Sequence, residues 1–191
     1  MDKLRIGITG HRDLREEDIE ALSSSLADAV NKLREANQDR QIQMLNALAS
    51  GADRLAADYA IKSGMELVAV LPFSAEMYEE DFADGELTEF RKQLKSASDV
   101  IIPEHSVLGK MQNRDDGYRA AGRYIADNCD YLIAFWDGAS GTDEGCGTGD
   151  IVKYFTDRHT EKLIHIKTIR RDKRPLTEIK KEADEHSLDN Q

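Results

Sequence analysis

Cysteine is scarce: Cys129 and Cys146 are the only two in 191 residues. That is too few for a disulfide framework or a zinc site built on thiolates. Proline is nearly absent as well, with three residues beside thirteen glycines, which excludes a Pro-rich or collagen-like chain. No apolar run approaches the ~18–20 residues of a membrane span. The opening MDKLRIGITG has no charged segment followed by an apolar one, so no signal peptide is expected. Basic residues are in deficit, 26 against 37 acidic, for a net charge of −11. This predicts long-range repulsion from nucleic acid and anionic membranes, so neither is expected as a partner, although a local basic groove can still hold a phosphate. His105, His159, His165 and His186 show no metal-ligand spacing, and neither a metal nor a cofactor is expected. What is present is 40% hydrophobic and 33% charged sequence, enough for one core under a charged surface. A cytoplasmic protein of about one domain is the expectation.

No internal repeat is visible. Apolar strands, loops and amphipathic helices alternate instead. Strands are predicted over 4–9, 42–48, 66–71, 99–102, 131–136 and 163–167. Between the first two, Ile19, Leu22, Leu26, Val30 and Leu33 recur at helical spacing. Ala52, Leu55, Ala56, Tyr59 and Ala60 form a second helical stripe, stopped by Gly64. Further helices are predicted over 74–96, interrupted near Gly85, and over 118–128 and 150–158. Segment 104–116 reads as a loop, either a lid or a dimer contact, and 137–149 as a long Gly-rich loop. Continuous apolar strands alternating with helices predict an α/β fold: a doubly wound, mainly parallel, Rossmann-like sheet with helices on both faces. The boundaries expected are one nucleotide-binding domain over 1–169 and a charged tail over 170–191, where the run Arg170, Arg171, Asp172, Lys173, Arg174 reads as a solvated terminus.

Ligands in such folds bind beyond the carboxyl ends of the strands, so three loops matter most. Gly10, His11 and Arg12 follow the first strand. The glycine permits a tight turn and close approach to a ligand, Arg12 offers a fork for phosphate, and His11 can donate or accept. The spacing is not GxGxxG, so the dinucleotide fingerprint is absent. Ser50, Gly51, Asp53 and Arg54 follow the second strand. Ser50 is expected to cap the helix, whose N-terminus favours an anion. Asp53 either takes a ribose hydroxyl, braces an arginine, or stabilises the first helical turn. The third loop carries Gly138, Gly141, Gly145, Cys146, Gly147, Thr148, Gly149 and Asp150 after the strongest strand. Its alternate glycines can present several N–H groups to a phosphate at a helix start. It is either that or a flexible surface loop, and it is not a P-loop, since no Lys-Ser/Thr follows. Pro72 and Phe73 either wall the ligand or simply end a strand. Tyr118 and Arg119 can reach the pocket, with Tyr118 suited to stacking on a base; Arg119 and Arg123 read equally as a solvated stripe. Cys146 lacks an evident base and is not read as a nucleophile.

The segments IGITGHRDL, LASGADRLAADYA, VAVLPF and CDYLIAFWDG…GCGTGDIV, in that order, resemble the SLOG superfamily. This group includes the cytokinin-activating LOG phosphoribohydrolases and the DNA-processing protein A family. The resemblance spans roughly residues 4–167. It implies a pocket for a nucleotide or nucleotide-derived ligand: a nucleoside monophosphate, an ADP-ribose-like molecule or a cyclic nucleotide. Gly147, Thr148 and Gly149 match the phosphate-binding turn. The alternative that it implies is an N-glycosidase releasing a base and ribose 5-phosphate, with Asp150 as the candidate catalytic carboxylate and Asp53 and Glu144 as others. LOG enzymes carry PGGxGTxxE here. In this chain the proline is missing, and Ile151 stands where the acidic residue would be, with Asp150 one position earlier. Relatives often pair through helices, so a homo-oligomer is compatible with the resemblance, though no residue demands it.

Overall fold

The computed structural model describes residues 2–103, 113–141, 145–159 and 161–171. Thr142, Glu144, His105, His186, segment 104–112 and the tail beyond Arg171 lie outside the described residues.

The strands are β1 (Lys3–Gly10), β2 (Gln41–Asn46), β3 (Glu66–Val70), β4 (Asp99–Ile101), β5 (Tyr131–Trp136) and β6 (Leu163–Lys167). They form one six-stranded sheet in the order β4-β3-β2-β1-β5-β6, and every pair is parallel. The helices are α1 (Ile19–Ala36), α2 (Ala52–Lys62), α3 (Ala75–Glu79), α4 (Asp84–Ser96), α5 (Arg114–Asn128) and α6 (Thr148–Thr156). The chain is therefore an α/β protein with a Rossmann-like sheet, as its alternating pattern predicts.

Both faces of the sheet are buried, which is why the strands read as continuous apolar runs rather than alternating ones. Ile6, Ile8, Met44, Leu67 and Phe135 point to one face, against Leu22, Leu26, Val30 and Leu33 of α1 and the alanines of α2. Leu45, Val68, Val70 and Leu132 point to the other, against Ala121 and Ile125 of α5 and Ile151 and Phe155 of α6. Small residues let α5 lie close. A Cβ at Gly7 would meet Ile125 Cγ2 at 2.7 Å and Cys129 Sγ at 2.9 Å, and one at Gly122 would meet Ile151 Cδ1 at 2.6 Å.

Several boundaries shift for local reasons. The second strand stops at Asn46 because the chain turns sharply afterwards, with Leu48 at φ 56°. Helix α5 starts one turn before its expected position. Asn113 caps it by accepting the Asp116 N–H at 3.1 Å, and Asp115 and Asp116 suit the positive end of the dipole. The α3/α4 break falls at 80–83, and Gly85 lies inside the first turn of α4. Ser50 is not the cap of α2: Gly51 holds that position, with no side-chain cap bond. Its φ of 75° and ψ of −118° are open only to glycine, and a Cβ there would run into the His11 and Arg12 carbonyl oxygens.

Candidate functional site

The sheet changes direction at β1. From there the chain builds outward through β2, β3 and β4, then returns to place β5 on the other side. Beyond the carboxyl ends of β1 and β5 the loops diverge and leave a crevice. A cleft of about 720 Å3 occupies it, within the usual range for small-molecule sites.

The floor is the turn after β1. A Cβ on Gly10 would collide with Ala52 and Phe135, so only glycine lets β1 end between α2 and β5. His11 is then pinned. Its N–H donates to the Phe135 carbonyl at 3.1 Å, its carbonyl accepts the Ala52 N–H at 3.1 Å, and its Nε2 accepts the Asp137 N–H at 3.1 Å. Burial lowers the imidazole's pKa from its usual 6.5, against the opposing pull of the Asp137 carboxylate 3.2 Å away. The neutral ring is thus the one that fits, with Nε2 as acceptor.

Arg12 turns its guanidinium into the cleft, 5.1 Å from the Tyr118 ring centre and 4.0 Å from Asp81. Burial alone would lower its pKa, but Tyr78, Tyr118, Asp81 and Asp53 outweigh it and hold the group cationic. Asp81 is already engaged more closely elsewhere. It accepts from Arg114 Nη2 and from the Tyr118 hydroxyl, both at 2.5 Å. Tyr118 also stands edge-on to Phe73, 5.2 Å between centres. One face of its ring therefore supports Arg12, and Phe73 is core, 2% exposed.

Asp53 is 5% exposed, lines the cleft, and accepts the Ala49 N–H at 3.3 Å. Burial, opposed by that bond and by Arg12 and Arg54, pushes its pKa up to about 7. Arg54 points elsewhere, donating to the Glu86 carbonyl and lying 4.5 Å from the Phe82 ring centre.

The third wall comes from β5 and the start of α6. Trp136 lines the cleft, with its indole N–H on the Ala139 carbonyl at 3.0 Å and His165 behind it, 5.2 Å between ring centres. Gly149 packs against Ala139 and Gly141, where a side chain would clash. Asp150 Oδ2 accepts the Gly147 N–H at 2.8 Å. Arg119 braces the same loop from behind, donating to the Gly145 carbonyl at 3.2 Å and to Asp116 at 2.9 Å. The thiol of Cys146, raised by burial, is less readily ionised than a free cysteine.

Ten of the expected site residues meet in this cleft: Gly10, His11, Arg12, Asp53, Pro72, Tyr118, Gly147, Thr148, Gly149 and Asp150. Ser50, Gly51, Arg54, Arg119, Gly138 and Gly145 do not line it. Lining residues that the sequence reading did not single out as ligand contacts include Tyr78, Asp115, Trp136 and Arg170. Arg170 reaches it because its Nε pairs with Asp13 at 3.0 Å while residues 170 and 171 dock on the β1 loop. Trp136, the last residue of the strongest strand, was visible by position alone. Among the described residues, no group of three or more His, Cys, Asp or Glu could hold a metal, and no helix is long and apolar enough to cross a membrane.

These features define a Rossmann-like α/β protein with a mixed-charge cleft at its switch point. No protein-family model matches the chain, and no curated protein matches it by sequence. Solved structures do share the fold. DNA processing protein A from Streptococcus pneumoniae matches with a TM-score of 0.55 and 15% identity, over 89% of this chain and 52% of that one. The chain thus spans about half the length of that protein. DNA processing protein A from Helicobacter pylori, whose structure addresses a single-stranded DNA binding mode, matches with a TM-score of 0.54 and 13% identity, over 95% of this chain and 74% of that one. The expectation that nucleic acid is no partner is overturned here. A protein of this fold binds single-stranded DNA, so the fold gives no ground for excluding it.

Proposed function

We propose that the cleft binds a nucleotide or nucleotide-derived ligand, and that the chain is a SLOG-like binding or sensing protein. One observation carries this reading: three loops far apart in sequence, after β1, β2 and β5, converge at the switch point around Arg12 and a glycine-rich helix start. Gly10, His11, Arg12, Asp53, Pro72, Tyr118, Gly147, Thr148 and Gly149 are the proposed contacts, with Asp150 the proposed carboxylate for a bound sugar. Gly51, Arg119 and Gly145 shape the walls from behind, while Ser50, Arg54 and Gly138 stay outside the proposed contacts. The fold shared with the DNA processing proteins and the ordered motifs support the superfamily assignment.

A second reading has its own support. A single DNA strand is a chain of nucleotide units, and the Helicobacter pylori protein of the same fold binds one.

The test is to incubate the protein with AMP, NAD, ADP-ribose and cyclic nucleotides and to analyse the retained protein and the filtrate by mass spectrometry. A labelled oligodeoxynucleotide is titrated in parallel by fluorescence anisotropy. An intact retained nucleotide is expected. Free base with ribose 5-phosphate in the filtrate would make the protein a hydrolase instead. Binding of the oligonucleotide alone would favour the second reading, and no binding at all would overturn both.

A further inference from the structure

We infer that the cleft has two chemically distinct ends, with the ligand's phosphate at Arg12 and its ribose hydroxyls at Asp150, so that the protein selects ribonucleotides over deoxyribonucleotides. The inference rests on the nucleotide-binding reading above and reverses the orientation that the Gly-rich loop alone would suggest.

The start of α6 is where a phosphate would be expected, because free N–H groups and the helix dipole attract anions. Here the position is already held by an anion of the chain itself. Asp150 Oδ2 takes the Gly147 N–H at 2.8 Å, and the carboxylate presses so close to Gly145 that a Cβ there would overlap it. The N–H groups of Asp150 and Ile151 in turn go to the Gly147 carbonyl, at 3.1 and 3.2 Å. A phosphate brought to this loop would meet a like charge at contact distance. A sugar hydroxyl would not, because it donates and a carboxylate accepts, with about four lone-pair sites over its two oxygens.

The opposite holds at Arg12. Its nearest carboxylate, Asp81, is 4.0 Å away and is held more tightly by Arg114 and Tyr118, each at 2.5 Å. Arg12 is the second-choice partner of that carboxylate, its side chain is 47% exposed, and it faces the cleft. The other cation there, Arg170, is engaged with both Asp13 oxygens at 3.0 and 3.1 Å. His11 uses its Nε2 to accept the Asp137 N–H at 3.1 Å, so that nitrogen is not a donor to an anion. An incoming phosphate therefore gains most at Arg12. A mononucleotide that places its phosphate there can present its ribose to the β5–α6 side of the same cleft.

The experiment is calorimetric titration of the full chain with AMP, GMP, CMP and UMP, their 2′-deoxy forms, and the parent nucleosides. It is repeated on Asp150→Asn and Arg12→Ala, with folding checked by circular dichroism. The parent protein should bind a ribonucleotide at least about 10-fold more tightly than its deoxy form, as loss of one charge-assisted hydrogen bond implies. Asp150→Asn should bring that ratio close to one while leaving the preference for nucleotide over nucleoside. Arg12→Ala should do the reverse, removing the phosphate preference and keeping the ribose preference. Equal affinity of ribo and deoxy forms in the parent protein would overturn the inference and leave nucleotide binding standing. So would tighter binding by Asp150→Asn with an unchanged ratio, which would return the phosphate to α6. Should Asp150→Asn fail to fold, the ribo-to-deoxy ratio of the parent and of Arg12→Ala still decides. No binding of any probe would overturn both this inference and the nucleotide reading.

Discussion

Asp53 carries a pH dependence that can be worked from its surroundings. The carboxyl is 5% exposed, and burial raises its pKa from 3.8 to about 7, against the Ala49 N–H and the charges of Arg12 and Arg54. A rise of that size corresponds to about 4 kcal/mol between protonation states. The folded protein holds the proton more tightly than the unfolded chain does. Stability is therefore fullest below pH 3.8, falls as pH rises through the window from 3.8 to 7, and levels off above it. Asp53→Asn removes the charge and keeps an oxygen to accept from Ala49. The variant should gain on the parent by roughly 2–3 kcal/mol between pH 5 and pH 8. Urea unfolding of both proteins at pH 5, 6, 7 and 8 measures it, and other titrating groups cancel in the difference. A difference that stays flat to within about 0.5 kcal/mol across the series would show that Asp53 is not desolvated as the structure places it.

Further outcomes follow from the same geometry. Arg12→Ala should lower nucleotide affinity at least about 10-fold by calorimetry, with little change in melting temperature because the side chain is half exposed. Gly51→Ala should destabilise by about 2 kcal/mol or more, lowering the melting temperature by about 4–8 °C. It forces a side chain into φ 75° and against the His11 and Arg12 carbonyls. Gly7→Val should cost about 1–3 kcal/mol in chemical denaturation by lifting α5 off the sheet. In an NMR titration the His11 ring should protonate below 6.5, and a value above it would contradict its burial beside Arg170 and its role as acceptor for Asp137.

The fold was legible because its signals are local and repeated. Residues such as Leu132, Ile133, Ala134 and Phe135, all wholly buried, announce a strand covered on both faces. Leu22, Leu26, Val30 and Leu33 announce a helix with one buried stripe. Such patterns depend only on the chain's period and on the cost of leaving apolar surface in water. The loops after β1, β2 and β5 could be named as the place of the site for the same reason: strand ends at a switch point are a consequence of topology.

Side-chain direction inside those loops was not legible, because it depends on partners far away in sequence. Arg54 and Arg12 look alike in their motifs, yet Arg54 turns to Glu86 on α4 and Arg12 turns into the cleft. Ser50 has the chemistry of a cap, but the close approach of the His11 and Arg12 carbonyls demands a glycine at that position. Arg170 reads as part of a charged tail until Asp13, 157 residues earlier, fixes it beside His11. Asp150 could be placed at a helix start from the sequence, but only the structure shows its carboxylate on the Gly147 N–H. The sequence by itself determined the layers, the strands and which loops converge. Tertiary structure decided which charges face the cleft, because a long polar side chain settles where its hydrogen bonds and ion pairs are best satisfied, and those partners exist only once the sheet has assembled.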